Sequence, residues 1–123
     1  MARIDSYRDL NVCQEAMALA EEIYKATRAF PKEEQFGLIS QMRRAAVSIP
    51  SNIAEGWGRG STQDYQRFLR IARGSLKEVE TQTMLSARLN FFTKQQEETL
   101  LNQAESIGRM LVALDRSLNR QTK

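Results

Sequence analysis

Apolar residues recur at three- and four-residue intervals along nearly the whole chain, and little in the sequence interrupts that rhythm. Only two prolines, Pro31 and Pro50, and six glycines occur. The period is that of an amphipathic helix, and the strict alternation of a strand is absent. Leu10, Cys13, Met17, Ala20, Ile23, Thr27 and Phe30 predict a first helix, with Asp9 as its cap and Pro31 as its stop. A second stretch, Lys32 to Trp57, contains Pro50, which removes one backbone hydrogen bond. Met42, Ala46, Ile49, Ile53 and Trp57 nevertheless share about 80° of arc, so the phase survives and one kinked helix is expected. Gly56, Gly58 and Gly60 predict a loop, after which Ser61 or Thr62 caps a third helix. That helix carries the stripe Tyr65, Leu69, Ala72, Leu76, Val79, Thr83 and Ala87 and stops at Asn90. Thr93 and Gln96 form the capping box of a fourth, with Leu100, Ala104, Ile107, Leu111, Leu114 and Leu118 as its seam. The tail from Asn119 to Lys123 is expected to fray.

Four such helices with short connections predict an all-α protein, an antiparallel up-down-up-down four-helix bundle forming a single domain over residues 1–123. With 41% hydrophobic and 27% charged residues the chain has the balance of a globular core rather than of a disordered segment. No apolar run approaches the ~18 residues of a membrane span. The opening MARIDSYRDL has no apolar region of the kind that marks a secretory signal. The one cysteine, Cys13, permits no intrachain disulfide, and a reducing cytoplasm is the expected location. Cys13 lies on the apolar stripe, where a small buried hydrophobe is the plainer reading and a reactive thiol the sharper one.

Histidine is absent altogether, which removes histidine triads, histidine metal sites and the usual near-neutral proton carrier. The glycine-rich run from Gly56 to Gly60 follows no strand and precedes no Gly-Lys-Ser/Thr, so it does not make a phosphate loop. Glu21-Glu22, Glu33-Glu34 and Glu97-Glu98 are neighbours in sequence that point apart on a helix. No enzyme, cofactor or metal site is expected.

The segment from Tyr24 to Ser75 is less generic. Its Phe30-Pro31, Phe36 to Leu38 and the run QMRRAAVSIPSNIAEG from Gln41 to Gly56 are distinctive. Arg59, Tyr65, Phe68-Leu69, Ala72 to Ser75 and Glu78 continue the pattern. In these residues the chain resembles the bacterial four-helix-bundle family first known from open reading frames inside 23S rRNA intervening sequences. The resemblance extends over nearly the whole chain, although Cys13 stands where that pattern often has tryptophan. It implies a cytoplasmic bundle assembling as a ring-like homopentamer. It also implies distant kinship to the accessory variability proteins of diversity-generating retroelements, basic pentameric barrels that bind nucleic acid and a reverse transcriptase.

Two polar patterns remain. Arg44, Ser48, Asn52, Glu55 and Arg59 gather within about 80° of arc, roughly opposite the apolar stripe of the second helix. They fit a solvated face, an intersubunit network in which Glu55 neutralises Arg44 or Arg59, or a ligand site. Gly56 beside them suits a close helix approach or a helix end. Between Arg43 and Lys77 there are seven basic residues (Arg43, Arg44, Arg59, Arg67, Arg70, Arg73 and Lys77) against only Glu55 and Asp64. Arg70, Arg73, Lys77 and Arg88 share about 60° of arc on the third helix. Such a stripe supplies phosphate contacts to structured RNA or DNA, with Arg43 and Lys77, Arg67, Arg70 and Arg73 as the candidate residues, or it is a solvated surface. Trp57 and Tyr65 are expected in the core or at a subunit seam rather than stacked on bases, and Phe91-Phe92 to plug one end of the bundle. The competing reading of the whole is a protein-interaction ring with no nucleic-acid role.

Overall fold

The computed structural model describes residues 6–121. Four helices account for most of them: α1 Asn11–Thr27, α2 Leu38–Gly58, α3 Thr62–Arg88 and α4 Lys94–Gln121. Single 3₁₀ turns, Tyr7–Asp9 and Lys32–Glu34, precede α1 and α2. Each helix packs directly on two others, and the pairs α1/α3 and α2/α4 lie on the diagonals. Along α2 and α3, Met42 meets Ser86, Ser48 meets Ser75 and Gly56 meets Tyr65 and Phe68, so the two run antiparallel. Along α3 and α4, Gln66 reaches Asp115 while Leu76 touches Gly108, again antiparallel.

The core is built from the expected stripes, with adjustments that follow from each helix facing two neighbours. Met42, Ala46, Ile49 and Ile53 are fully buried, and α2 continues through Pro50 as expected. On α1 the buried face is Val12, Cys13, Ala16, Leu19, Ala20, Ile23 and Thr27, which leaves Met17 exposed. Met17 sits about 100° round the helix from the centre of that face, outside the arc that α2 and α4 cover.

Caps correct the predicted boundaries. Asp9 does not cap α1; Leu10 precedes that helix without a side-chain cap, and Ser6 Oγ serves the 3₁₀ turn before it. α2 starts at Leu38 rather than Lys32, and Glu34 Oε1 accepts from the Leu38 N–H at 3.2 Å. Ser61 Oγ accepts from the Asp64 N–H at 3.1 Å at the start of α3. Asn90 ends α3 with φ 64°, its N–H bonded to Ala87 O and the Phe91 N–H bonded to Ser86 O, which together make a Schellman closure. The capping box is complete: Gln96 N–H donates to Thr93 Oγ1 at 3.1 Å, and Thr93 N–H donates to Gln96 Oε1 at 2.8 Å. α4 then runs to Gln121, past the expected fray at Asn119, while Thr122 and Lys123 lie outside the described residues. Phe91 and Phe92 close on Phe30 at ring separations of 5.2 and 5.0 Å and plug that end of the bundle.

The glycine run also differs from expectation. Gly56 and Gly58 are helical, and only Gly60 takes a positive φ, 85°. A methyl group on Gly56 would lie 2.8 Å from Phe68 Cβ and 3.0 Å from Tyr65 Cδ1, so the glycine is there to let α3 approach. Gly74, in the middle of α3, has no atom within 4 Å of the corresponding position. Gly56→Ala is therefore expected to cost about 1–3 kcal/mol through overpacking. Gly74→Ala should gain about 0.5–1 kcal/mol by removing backbone freedom from the unfolded chain. Urea denaturation of the two variants reads both signs directly.

Candidate nucleic-acid interface

The polar ladder of α2 divides in the structure. Ser48 Oγ and Ser75 Oγ share a hydrogen bond of 2.8 Å across the α2–α3 seam. Asn52 Nδ2 donates to Ser48 O at 2.7 Å and to Ser48 Oγ at 2.9 Å. Asn52 thus pairs back toward Ser48 rather than forward to Glu55. Both residues are half-buried against α3, not on the solvent side opposite the apolar stripe. The reason is that α2 packs on two helices, so its covered arc includes Ala45, Ser48, Asn52 and Gly56 as well as the stripe itself. Arg44 at one end is exposed. At the other, Arg59 Nη2 donates to Glu55 Oε1 at 2.9 Å, with both side chains about half exposed.

The predicted cations separate into two groups. Arg43 donates from Nε to Thr27 Oγ1 at 3.0 Å and from Nη2 to Tyr24 O at 3.2 Å, with its guanidinium 4.5 Å from the Tyr24 ring centroid. It ties α2 to the negative end of the α1 dipole and faces away from the α3 stripe. Arg67 sits 3.9 Å from Asp64 and 4.6 Å from the centre of the Phe68 ring, which Arg59 approaches to 5.0 Å. These arginines are held by the bundle itself.

Arg70, Arg73 and Lys77 project from the neighbouring arc of α3. Lys77 Nζ lies 3.1 Å from Glu80 Oε1, while Arg70 and Arg73 make no ion pair among the described residues. Arg73 and Lys77 form one wall of a groove of about 490 Å³ whose opposite wall is α4, with Glu105, Arg109 and Arg116. Its floor is apolar, from Leu76, Val112 and Ala113, and Gly108 lets α4 come close to Leu76. Arg109 and Arg116 also lack ion-pair partners among the described residues. Four cations against Glu80 and Glu105 make this groove basic, and its two walls present guanidinium groups without internal partners.

Sequence reasoning missed Arg109 and Arg116, because it weighed charge along the chain and the fourth helix is rich in glutamate. Their seven-residue spacing, which puts them within about 20° of each other on the helix, was the available signal.

Neither aromatic nor thiol chemistry competes for the site. Burial pushes the Cys13 thiol up, away from the thiolate that reactivity needs. Tyr65 packs edge-on to Trp57 at 6.1 Å, and its hydroxyl is buried without a partner. Burial first, and then the neighbouring Cys13, push that hydroxyl up to about 12. No cluster suited to a metal ion occurs among the described residues, and no helix of them is long and apolar enough to cross a membrane.

Fold and groove together define a histidine-free, all-α four-helix bundle with a basic cleft between its last two helices. The chain belongs to the 23S rRNA-intervening sequence protein family, which it matches over residues 8–113. A crystal structure of a protein of unknown function from the S23 ribosomal protein family of Bacteroides thetaiotaomicron has the same fold. It superposes with a TM-score of 0.78 at 24% sequence identity, over 85% of this chain and 95% of that one. No curated protein matches the chain significantly.

Tyr65, at the α2–α3 seam and away from the groove, gives the bundle a pH signature. Unfolded, its hydroxyl ionises near the ordinary value of about 10; folded, near 12. Between those values the unfolded chain sheds a proton that the folded chain keeps, so stability present below pH 10 declines as the pH rises toward 12. Melting temperatures across that window should fall less steeply for Tyr65→Phe than for the native protein.

Proposed function

We propose that this protein is a non-enzymatic, cytoplasmic, homopentameric bundle that binds structured RNA or DNA electrostatically through the α3–α4 groove. The observation that carries the reading is the convergence of Arg73 and Lys77 on α3 with Arg109 and Arg116 on α4, three of the four without an internal partner. Arg70, adjacent on α3, extends the positive edge. Guanidinium groups held on two rigid walls suit phosphate oxygens, and backbone contacts of this kind need no base-reading element. Arg43 and Arg67 are left out of this reading because Tyr24, Thr27, Asp64 and Phe68 already engage them.

Membership in a family defined by 23S rRNA intervening sequences supports a nucleic-acid setting, and the resemblance stated above supports the ring of five. Five grooves on one ring would convert modest contacts into avidity. The exposed Arg44, Glu55 and Arg59 are proposed to lie near subunit boundaries of that ring.

Binding of fluorescent structured RNA and duplex DNA across a salt series tests the proposal. Four phosphate contacts correspond to a log–log slope of about −3.6, a loss of roughly 150-fold in affinity between 50 and 200 mM salt. Arg73→Glu, Arg109→Glu and Arg116→Glu combined should abolish binding while leaving the mass of the assembly unchanged. Unchanged affinity would overturn the assignment of the groove. No binding of native protein at low salt would favour the alternative, a protein-interaction scaffold.

A further inference from the structure

A second groove, of about 780 Å³, runs between α1 and α2 on a different edge of the bundle. Met17, Ala20 and Tyr24 line it from α1, and Val47, Pro50 and Ala54 from α2. On α3, Ile71, Leu85 and Leu89 share a solvent-facing arc of about 40° with Glu78 between them. Met17, Tyr24 and Val47 in the groove, and Ile71, Leu85 and Leu89 on the stripe, are each between 41% and 52% exposed. Both present large apolar side chains that lie outside the bundle's own core. They cannot cover each other within one chain, since α1 and α3 lie on a diagonal of the bundle and both surfaces face outward.

We infer that the α1–α2 groove receives the outer face of α3 from a second copy of this chain, head to tail. The inference rests on the self-association proposed above and assigns its surfaces.

Charge supports this occupant. The groove carries Arg8, Lys25 and Arg28 against Glu21 alone. The stripe between Ile71 and Leu89 carries Glu78 as its one charge on that arc, and neither Glu78 nor Arg28 has an ion pair among the described residues. Spacing agrees as well. Arg28 stands eleven residues from Met17, and Glu78 eleven from Leu89, about 16 Å in each helix. Laid antiparallel, the two helices bring Glu78 to Arg28 and Leu89 to Met17, with Leu85 seated between Tyr24 and Met17. Because groove and stripe are different patches, the contact is heterologous, the type from which a cyclic ring is built when its rotation closes.

Light scattering on the full chain tests the assignment. Val47→Glu breaks the groove, and Leu85→Glu breaks the stripe. Each variant alone should fall to the 14.1 kDa of a single chain, with its helical circular dichroism retained. An equimolar mixture should regain a species of twice that mass, because one intact groove and one intact stripe remain. A native protein that is itself monomeric at micromolar concentration would overturn self-association and this contact together. A native oligomer whose mass neither variant changes, or two monomeric variants that fail to pair, would overturn the contact and leave self-association standing. Where Val47→Glu lowers helicity, Met17→Glu takes its place. Arg28→Glu should also weaken the native assembly at least tenfold, and Glu78→Arg added to it should restore it; absence of that rescue would overturn the antiparallel alignment.

Discussion

At Gly56 the backbone of α2 comes so near α3 that a Cβ would lie 2.8 Å from the Cβ of Phe68, and much of the molecule is arranged around that approach. With the two helices this close, small residues line the seam further along, and Ser48 and Ser75 find each other at 2.8 Å. Asn52 folds back to satisfy Ser48 rather than reaching outward. Buried hydroxyls left unpaired would cost about 1–3 kcal/mol each, so the mutual bonding of this trio is a condition of the close seam. The same approach places Phe68 where Arg59 and Arg67 cover its ring and fixes the tight passage from α2 into α3.

The fold was legible because helical periodicity is a repeated signal. Met42, Ile49, Ile53, Leu69, Leu76, Val79, Ile107 and Leu111 all occupy the interior that their spacing implied. The Thr93–Gln96 box was legible for a different reason: both partners lie within one turn, so the contact is local. What a single helix cannot reveal is how wide an arc its neighbours cover. For that reason the periodicity places Met17 in the core and Asn52 outside it, while the structure exposes Met17 and covers Asn52. Gly56 and Gly58 looked like a loop because the packing demand that keeps Gly56 helical comes from Phe68 and Tyr65, which follow it in sequence but lie across the seam.

The candidate site was half legible on the same grounds. Arg70, Arg73 and Lys77 form a stripe within one helix and could be seen there. Arg109 and Arg116 belong to the groove only because α4 returns antiparallel beside α3, a relation between helices. Arg43, counted among the phosphate contacts by its place in a basic segment, is instead a brace on the last turn of α1. Charge density along a chain finds the neighbourhood of a surface, while the partners each cation already has decide which remain available.

Every interface but one joins helices that are consecutive in the chain; the exception is α1 with α4, the lightest of the four. Removing α1 would leave α3 still joined to both α2 and α4, with Arg43 and the contacts to α2 as the principal ties to be broken. Cys13 lies on the hidden side of α1 and is the chain's sole thiol. Because it borders the α1–α2 groove, its reaction with an alkylating reagent gauges how often that side of α1 opens. Where that opening is fast compared with labelling, the rate yields the free energy of local opening, separate from that of global unfolding.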